Sequence, residues 1–332
     1  MTKTKRSNDV NKTSRFCDQE IEFENGVRGI NIQIPSAAPS NYYEVLGSTG
    51  QLEEVVLDGK LFLPPGSKES TPLVIIVPGS LGVAPSHVRH AETLCTERIA
   101  SFVLDTFGAR DITSTVANQT QFSFAASAYD VLAAYKVLAN RPEIDSQRIG
   151  AQGHSRGGSA VLTAVSRRFS DVVLGKEHSL AATYAAYPWC GQQFLNPGVG
   201  NTEVRIILGD ADEWCSVAQA QGHAQAVRLA GGQISLRVVP GAQHSFDRDT
   251  PIEMIADASV SPSAPVTYIA DDGAMIHPLT GTPDAALVDR DVMVYALKAG
   301  FGQKGARIGS RPGEAEIFRS DMLGFWRKVL LK

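Results

Sequence analysis

Along this chain the hydrophobic positions change period several times, and each change marks an element. Ile21, Phe23, Ile30, Ile32 and Ile34 alternate with polar neighbours, the period of a half-buried strand, and Gly26 and Pro35 punctuate them. Glu53 to Leu63 is a second β-prone stretch with Asp58-Gly59 in its middle, which predicts a hairpin turn at that dipeptide. Together they predict an antiparallel N-terminal edge over residues 16–63. From residue 72 the pattern changes. Leu73-Val74-Ile75-Ile76-Val77 is continuously apolar, as a strand covered on both faces must be. Helical spacing follows over 86–98 and 121–140; in the latter, Phe124, Ala128, Val131, Leu132, Tyr135 and Leu138 fall near one face. Short β-prone runs lie at 101–105, 148–151, 179–187, 204–208 and 234–239, with further helical stretches at 159–165 and 216–230.

Strands alternating with helices imply crossover connections, hence a mainly parallel central sheet flanked by helices on both faces. Residues 250–312 break the alternation, with prolines at 251, 262, 265, 278, 283 and 312 around one helical stretch at 284–297. They read as a loop-rich C-terminal insertion, of the kind that serves as a lid. An amphipathic helix over 314–331 closes the chain, its Ile317, Phe318, Met322, Leu323, Phe325, Trp326 and Leu330 expected to pack on the sheet. Neither an internal repeat nor a linker interrupts 16–332, which therefore reads as one domain. Residues 1–15 read as a disordered polar lead without the apolar core of a secretory signal.

Composition narrows the function. The 332 residues are 43% hydrophobic and 20% charged with a net charge of −4, so no global basic field favours nucleic acid or an anionic membrane. No apolar run reaches the length of a membrane-spanning helix. Four cysteines, Cys17, Cys95, Cys190 and Cys215, form no C-x-x-C pair, which points to free thiols in a reducing, cytoplasmic setting and gives no support to zinc. Asp271-Asp272-Gly273 lacks the further ligands of a calcium loop and reads as a turn. No cofactor or metal is expected.

The candidate chemistry centres on Gly153-His154-Ser155-Arg156-Gly157, set between a β-prone run and a helical stretch. Such a strand–turn–helix elbow lifts the serine hydroxyl clear of the sheet, and its glycines admit close backbone approach. A serine hydroxyl needs an adjacent base, held in turn by a carboxylate. Ligands of parallel sheets bind at the carboxyl ends of strands, and those ends offer Asp210 or Asp212, then His244. Asp212 is preferred, because Asp210 follows its strand directly and is placed to bond turn amides. His277 is the competing base; His154 should point away from an outward Ser155. An oxyanion needs two backbone N–H donors, expected from Arg156 and Ser80, with Leu81 second to Ser80. Leu81, Phe107, Trp189 and Trp214 are candidates to line an apolar substrate pocket. Arg110 and Arg156 could meet a substrate carboxylate, although Arg110 is better assigned to a structural pair with Asp105 or Asp111.

The ordered set V-I-I-V-P-G-S-L-G, L-D-T-F-G-A-R, G-H-S-R-G-G, Y-P-W-C, L-G-D-A-D-E-W and P-G-A-Q-H-S-F-D, spread over residues 74–247, resembles the dienelactone-hydrolase-like group of α/β-hydrolases. The resemblance implies an α/β-hydrolase fold and metal-free hydrolysis of an ester, lactone or related acyl compound. It carries the nucleophile to Ser155, the acid to Asp212 and the base to His244. Dienelactone hydrolases proper have cysteine at the elbow, so the serine here moves the reading toward serine esterases. Their usual His-Gly before the oxyanion loop is Pro78-Gly79 in this chain. The partner expected is a small acyl substrate, and a homodimer is one possible assembly. The rival readings are an acyltransferase or cyclase with the same three residues, and a non-catalytic binding protein on the same fold.

Overall fold

The structure, a computed structural model, describes residues 15–47, 51–67 and 70–331. The lead expected over 1–15 lies outside the described residues except for Arg15, whose guanidinium contacts Asp58. In chain order the first elements are β1 (Ile30–Ala37), α1 (Tyr42–Leu46), β2 (Glu54–Phe62), β3 (Thr71–Val77), α2 (Pro85–Thr96), β4 (Ala100–Asp105), α3 (Phe124–Ala139) and β5 (Ile144–His154). Next come α4 (Arg156–Ala164), α5 (Arg167–Leu174), β6 (Ala182–Ala186), β7 (Gln192–Phe194), β8 (Glu203–Gly209), α6 (Val217–Leu229) and β9 (Ile234–Val239). The C-terminal part adds β10 (Glu253–Val260), β11 (Thr267–Ile269), β12 (Met275–Ile276), β13 (Pro283–Asp284), α7 (Asp289–Lys298), β14 (Gln303–Ile308) and α8 (Glu314–Leu330).

Eight strands form the central sheet in the order β1-β2-β4-β3-β5-β6-β8-β9. The first two are antiparallel, β2 runs antiparallel to β4, and every later pairing is parallel. β3 and β4 are buried along their whole length, as continuously apolar strands require. α8 buries Phe318, Met322, Phe325, Trp326 and Leu330, and the Trp326 ring lies where a side chain on Gly150 would stand. The segment after β9 forms the small sheet β10-β14 and, together with β7, the sheet β13-β12-β11-β7, with α7 between β13 and β14 along the chain. A smaller cluster of Val116, Trp214, Cys215, Ala258, Val260, Ala306 and Ile308 fastens the β10-β14 ribbon to the loop after β8.

Three local expectations are corrected. The chain does not turn at Asp58-Gly59. β2 runs straight through, and Gly59 is needed because a Cβ there would overlap the Phe102 ring of β4. α7 starts at residue 289 rather than 284, since the Asp284 carboxylate accepts the Ala286 N–H at 2.9 Å and holds a turn in competition with a helix. Arg110 pairs with neither Asp105 nor Asp111. It makes a two-pronged pair with Asp130 of α3, at 2.7 and 3.0 Å, while Asp105 accepts the N–H groups of Phe107 and Gly108. The Asp130 side chain is wholly buried and that of Arg110 nearly so. Removing one partner from such a pair strands a charge in a low-dielectric interior. Asp130→Ala should therefore lower unfolding stability by about 3–5 kcal/mol in a urea titration.

Candidate active site

The site is built on the turn between β5 and α4. Ser155 has φ 54° and ψ −115°, a left-handed conformation that a non-glycine residue adopts only under constraint. Both glycines of the pentapeptide are sterically required. A Cβ on Gly153 would overlap the Gly157 carbonyl, and one on Gly157 would overlap the Val77 carbonyl of β3. Ser155 N–H donates to Ala186 O of β6 at 2.9 Å, so the sheet holds the turn from the other side as well.

The structure brings the three expected side chains into one chain of hydrogen bonds. His244 Nε2 lies 2.8 Å from Ser155 Oγ, and His244 Nδ1 lies 2.7 Å from Asp212 Oδ2. An ionised carboxylate only accepts, so Nδ1 carries the proton and Nε2 is left to accept from the serine. The other Asp212 oxygen accepts the N–H groups of Trp214 and Cys215 at 2.7 and 2.9 Å. Asp210 instead accepts the Gly241 N–H across the turn, the role weighed for it from its position. His277 is elsewhere, edge-on to Tyr295 of α7. The His244 ring stacks on Trp214 at 5.2 Å and 16°, and its carbonyl accepts the Gly309 N–H at 3.0 Å just beyond β14. His244 is therefore braced by the C-terminal insertion.

Arg156 opens α4, where the first N–H groups have no intrahelical acceptor and face the serine. The loop after β3 presses on the elbow: a Cβ on Gly79 would stand 3.1 Å from Ser155 Cβ. Ser80 is buried beside it, anchored by its carbonyl to Thr115 N–H at 2.8 Å and by its hydroxyl to Gln119 at 2.9 Å. The Arg156 side chain does not reach out to a substrate. Its Nε donates to Ser127 Oγ, Nη1 to Gln119 O and Nη2 to Phe122 O, and its guanidinium lies over the rings of Phe122 and Phe124.

Two clefts meet at Ser155. The larger, about 760 Å³, is lined by Trp189 and Trp214 together with residues of β10 and α7. The smaller, about 420 Å³, is lined by Leu81, Tyr187 and His244. Phe107 lines neither. It is buried edge-on against Phe122 at 5.5 Å, because its side chain turns inward beneath the loop that carries Gly82. Sequence reasoning missed Gln119, Asp289 and Met293, which do line the larger cleft. Their positions in polar or loop-rich segments carry no local signal of it. Burial pushes the Cys190 thiol up to about 12, which leaves no thiolate to act as a rival nucleophile at neutral pH.

Beneath the elbow lies a closed polar chain. Trp326 Nε1 donates to Gln152 Oε1 at 2.8 Å, and Gln152 Nε2 donates to His154 Nε2 at 3.1 Å. His154 Nδ1 then donates to Tyr187 Oη at 2.9 Å, and Tyr187 donates to Asp247 Oδ1 at 2.6 Å. His90 Nε2 donates to Asp247 Oδ2 at 2.8 Å. The ligand-type atoms of His90, His154 and Asp247 are close enough to hold an ion, as are those of Asp212, Cys215 and His244. In the first set the shared hydrogen bonds already satisfy the carboxylate, and in the second they join Asp212 to His244.

The sheet order, the strained serine turn and the strand-end residues define an α/β-hydrolase. The chain belongs to the dienelactone hydrolase family, whose profile matches residues 57–264, and it is a hydrolase acting on ester bonds. Among curated proteins none matches it. A solved structure titled m3DLH is 14% identical with a TM-score of 0.50, over 90% of this chain and 99% of its own. A putative dienelactone hydrolase from Klebsiella pneumoniae is 16% identical with a TM-score of 0.47, over 66% and 90%. Esterase 2 of Thermogutta terrifontis, phosphonylated by cyclosarin, is 18% identical with a TM-score of 0.46, over 63% and 84%. At such identities the likeness is one of fold. Among the described residues no helix is long and apolar enough to cross a membrane.

The buried histidines make stability depend on acid. Burial lowers His87 from 6.5 to about 3, and burial beside His87 lowers His154 well below its ordinary value. Burial alone would raise Asp247, but the bonds from His90 and Tyr187 hold it well below the usual carboxylate range. Each folded-state value is depressed, so the unfolded chain binds the extra protons and stability falls on acidification. The histidine contribution is complete above pH 6.5 and is lost toward about 3. Thermal melts across this range should show a falling midpoint, and His87→Gln should flatten the fall.

Proposed function

We propose that the enzyme is a serine hydrolase that cleaves an ester, lactone or related acyl bond through an acyl-enzyme on Ser155. The observation that carries this reading is the unbroken chain Asp212–His244–Ser155, with bonds of 2.7 and 2.8 Å. Ser155 Oγ attacks the carbonyl carbon while its proton passes to His244 Nε2, and a C–O bond forms. The imidazolium is stabilised by Asp212, which does not itself take the proton. The developing oxyanion is held by the backbone N–H groups of Arg156 and Ser80, already fixed in place and so costing no reorganisation during the reaction. Collapse of the tetrahedral species breaks the ester C–O bond, and His244 returns the proton to the leaving oxygen. Water then repeats the sequence: His244 takes its proton, the hydroxide adds to the acyl carbon, and Ser155 leaves with that proton as the free acid forms.

Ser155→Ala should lower turnover of a small chromogenic ester by about 10⁴- to 10⁶-fold while leaving the melting midpoint near that of the parent. Unchanged turnover would remove the reading. Asp212→Asn should cost about 10⁴-fold in kcat, whereas Asp210→Asn, which touches only a turn amide, should retain most activity. The reverse ranking would make Asp210 the acid.

A further inference from the structure

The two clefts at Ser155 differ in the one respect that decides which half of a substrate each receives. His244 must pass a proton to the leaving oxygen, so the leaving group lies on the side of the serine where the imidazole is. His244 lines the smaller cleft and does not line the larger one. That assigns the alcohol to the smaller cleft and the acyl group to the larger.

The walls of the larger cleft are mostly apolar. Phe124 and Trp189, with rings 4.6 Å apart, form one wall, and Val260 of β10 with Val292 and Met293 of α7 form another. Only two charged residues, Arg156 and Asp289, are among its lining. The Arg156 guanidinium is buried, lies over the rings of Phe122 and Phe124, and gives three of its five N–H groups to the protein. Asp289 accepts from Phe124 N–H at 2.7 Å and from Gln192 Nε2 at 2.6 Å. A substrate carboxylate placed here would leave water for a cleft whose one cation is covered by two rings and turned to the protein, and would face another carboxyl group. Burying an unpaired charge is among the costliest steps available in a protein.

We infer that the insertion, through α7 and β10, walls an acyl pocket for uncharged esters whose acyl part is a hydrocarbon chain or ring, and that it rejects acyl groups bearing a carboxylate. This rests on the hydrolase reading above and adds to it the chemical class of the acyl group and the segment that selects it.

The test is a series of p-nitrophenyl esters (acetate, butyrate, hexanoate, octanoate) together with the hemisuccinate and hemiglutarate, each compared by kcat/KM. Each methylene buried should raise kcat/KM by about fourfold until the pocket is filled. The hemiglutarate should fall about 100-fold or more below the uncharged hexanoate. A flat or falling chain-length profile, or equal turnover of charged and uncharged acyl groups, overturns the inference. Met293→Trp should lower the octanoate-to-acetate ratio about tenfold, and Met293→Ala should move the optimum to a longer chain. Because each is a ratio within one protein, partial loss of active enzyme does not affect it, and unchanged ratios in both variants place the acyl group elsewhere. Parent enzyme that hydrolyses no ester of the series overturns the hydrolase reading itself, an outcome distinct from hydrolysis with the wrong selectivity.

Discussion

The site depends on one backbone constraint, the left-handed serine between β5 and α4. A residue with a Cβ held at φ 54° is disfavoured by about 1–3 kcal/mol, and such a conformation survives only when its surroundings leave no alternative. Here the surroundings are two parallel neighbours and a helix start. β3 approaches so closely that residue 157 must be glycine, the turn folds on itself so tightly that residue 153 must be, and β6 takes the serine N–H. The result is a hydroxyl standing above the sheet, beside the free N–H groups of a helix start. The same compression brings the loop after β3 within contact of the serine, which sets Ser80 beside it.

Three further structures keep His244 in register with that serine. On the near side, Asp212 is fixed by two amides and directs the His244 proton toward itself. On the far side, the β10-β14 ribbon is fastened to Trp214, whose ring covers the imidazole. Below, the polar chain from Trp326 through Gln152, His154 and Tyr187 to Asp247 ties α8 to the loop that carries His244. Tyr187 also packs edge-on to His244 at 4.7 Å. The groups of this chain are neutral or paired in the interior, so it orders the loop without leaving a free charge beside His244.

Much of this was legible in the sequence, for identifiable reasons. The parallel strands announce themselves by continuous apolar runs such as 73–77, because burial on both faces leaves no polar position. Ser155, Asp212 and His244 could be picked out because parallel topology forces strand ends together, whatever the separation along the chain. What failed to be legible was set by contacts between distant segments. Asp58-Gly59 has turn chemistry, yet its glycine answers to the Phe102 ring of another strand. Arg110 has two acids nearby in sequence and pairs with a third, Asp130, on the neighbouring helix. Phe107 and Trp189 look alike as aromatics at strand ends, and only the path of the following loop sends one into the core and the other to the cleft. The pocket wall was the least accessible, since β10 and α7, separated by more than twenty-five residues with several prolines, come together only as lining of the one cleft.

The account stands or falls on whether the hydroxyl at 155 is a nucleophile activated by its neighbours. The direct measurement is treatment of the intact protein with a fluorophosphonate, followed by peptide mass spectrometry to locate the adduct. The account predicts a single stoichiometric phosphonyl group on Ser155. Absence of labelling, or an adduct on a different residue with Ser155 unmodified, would contradict it.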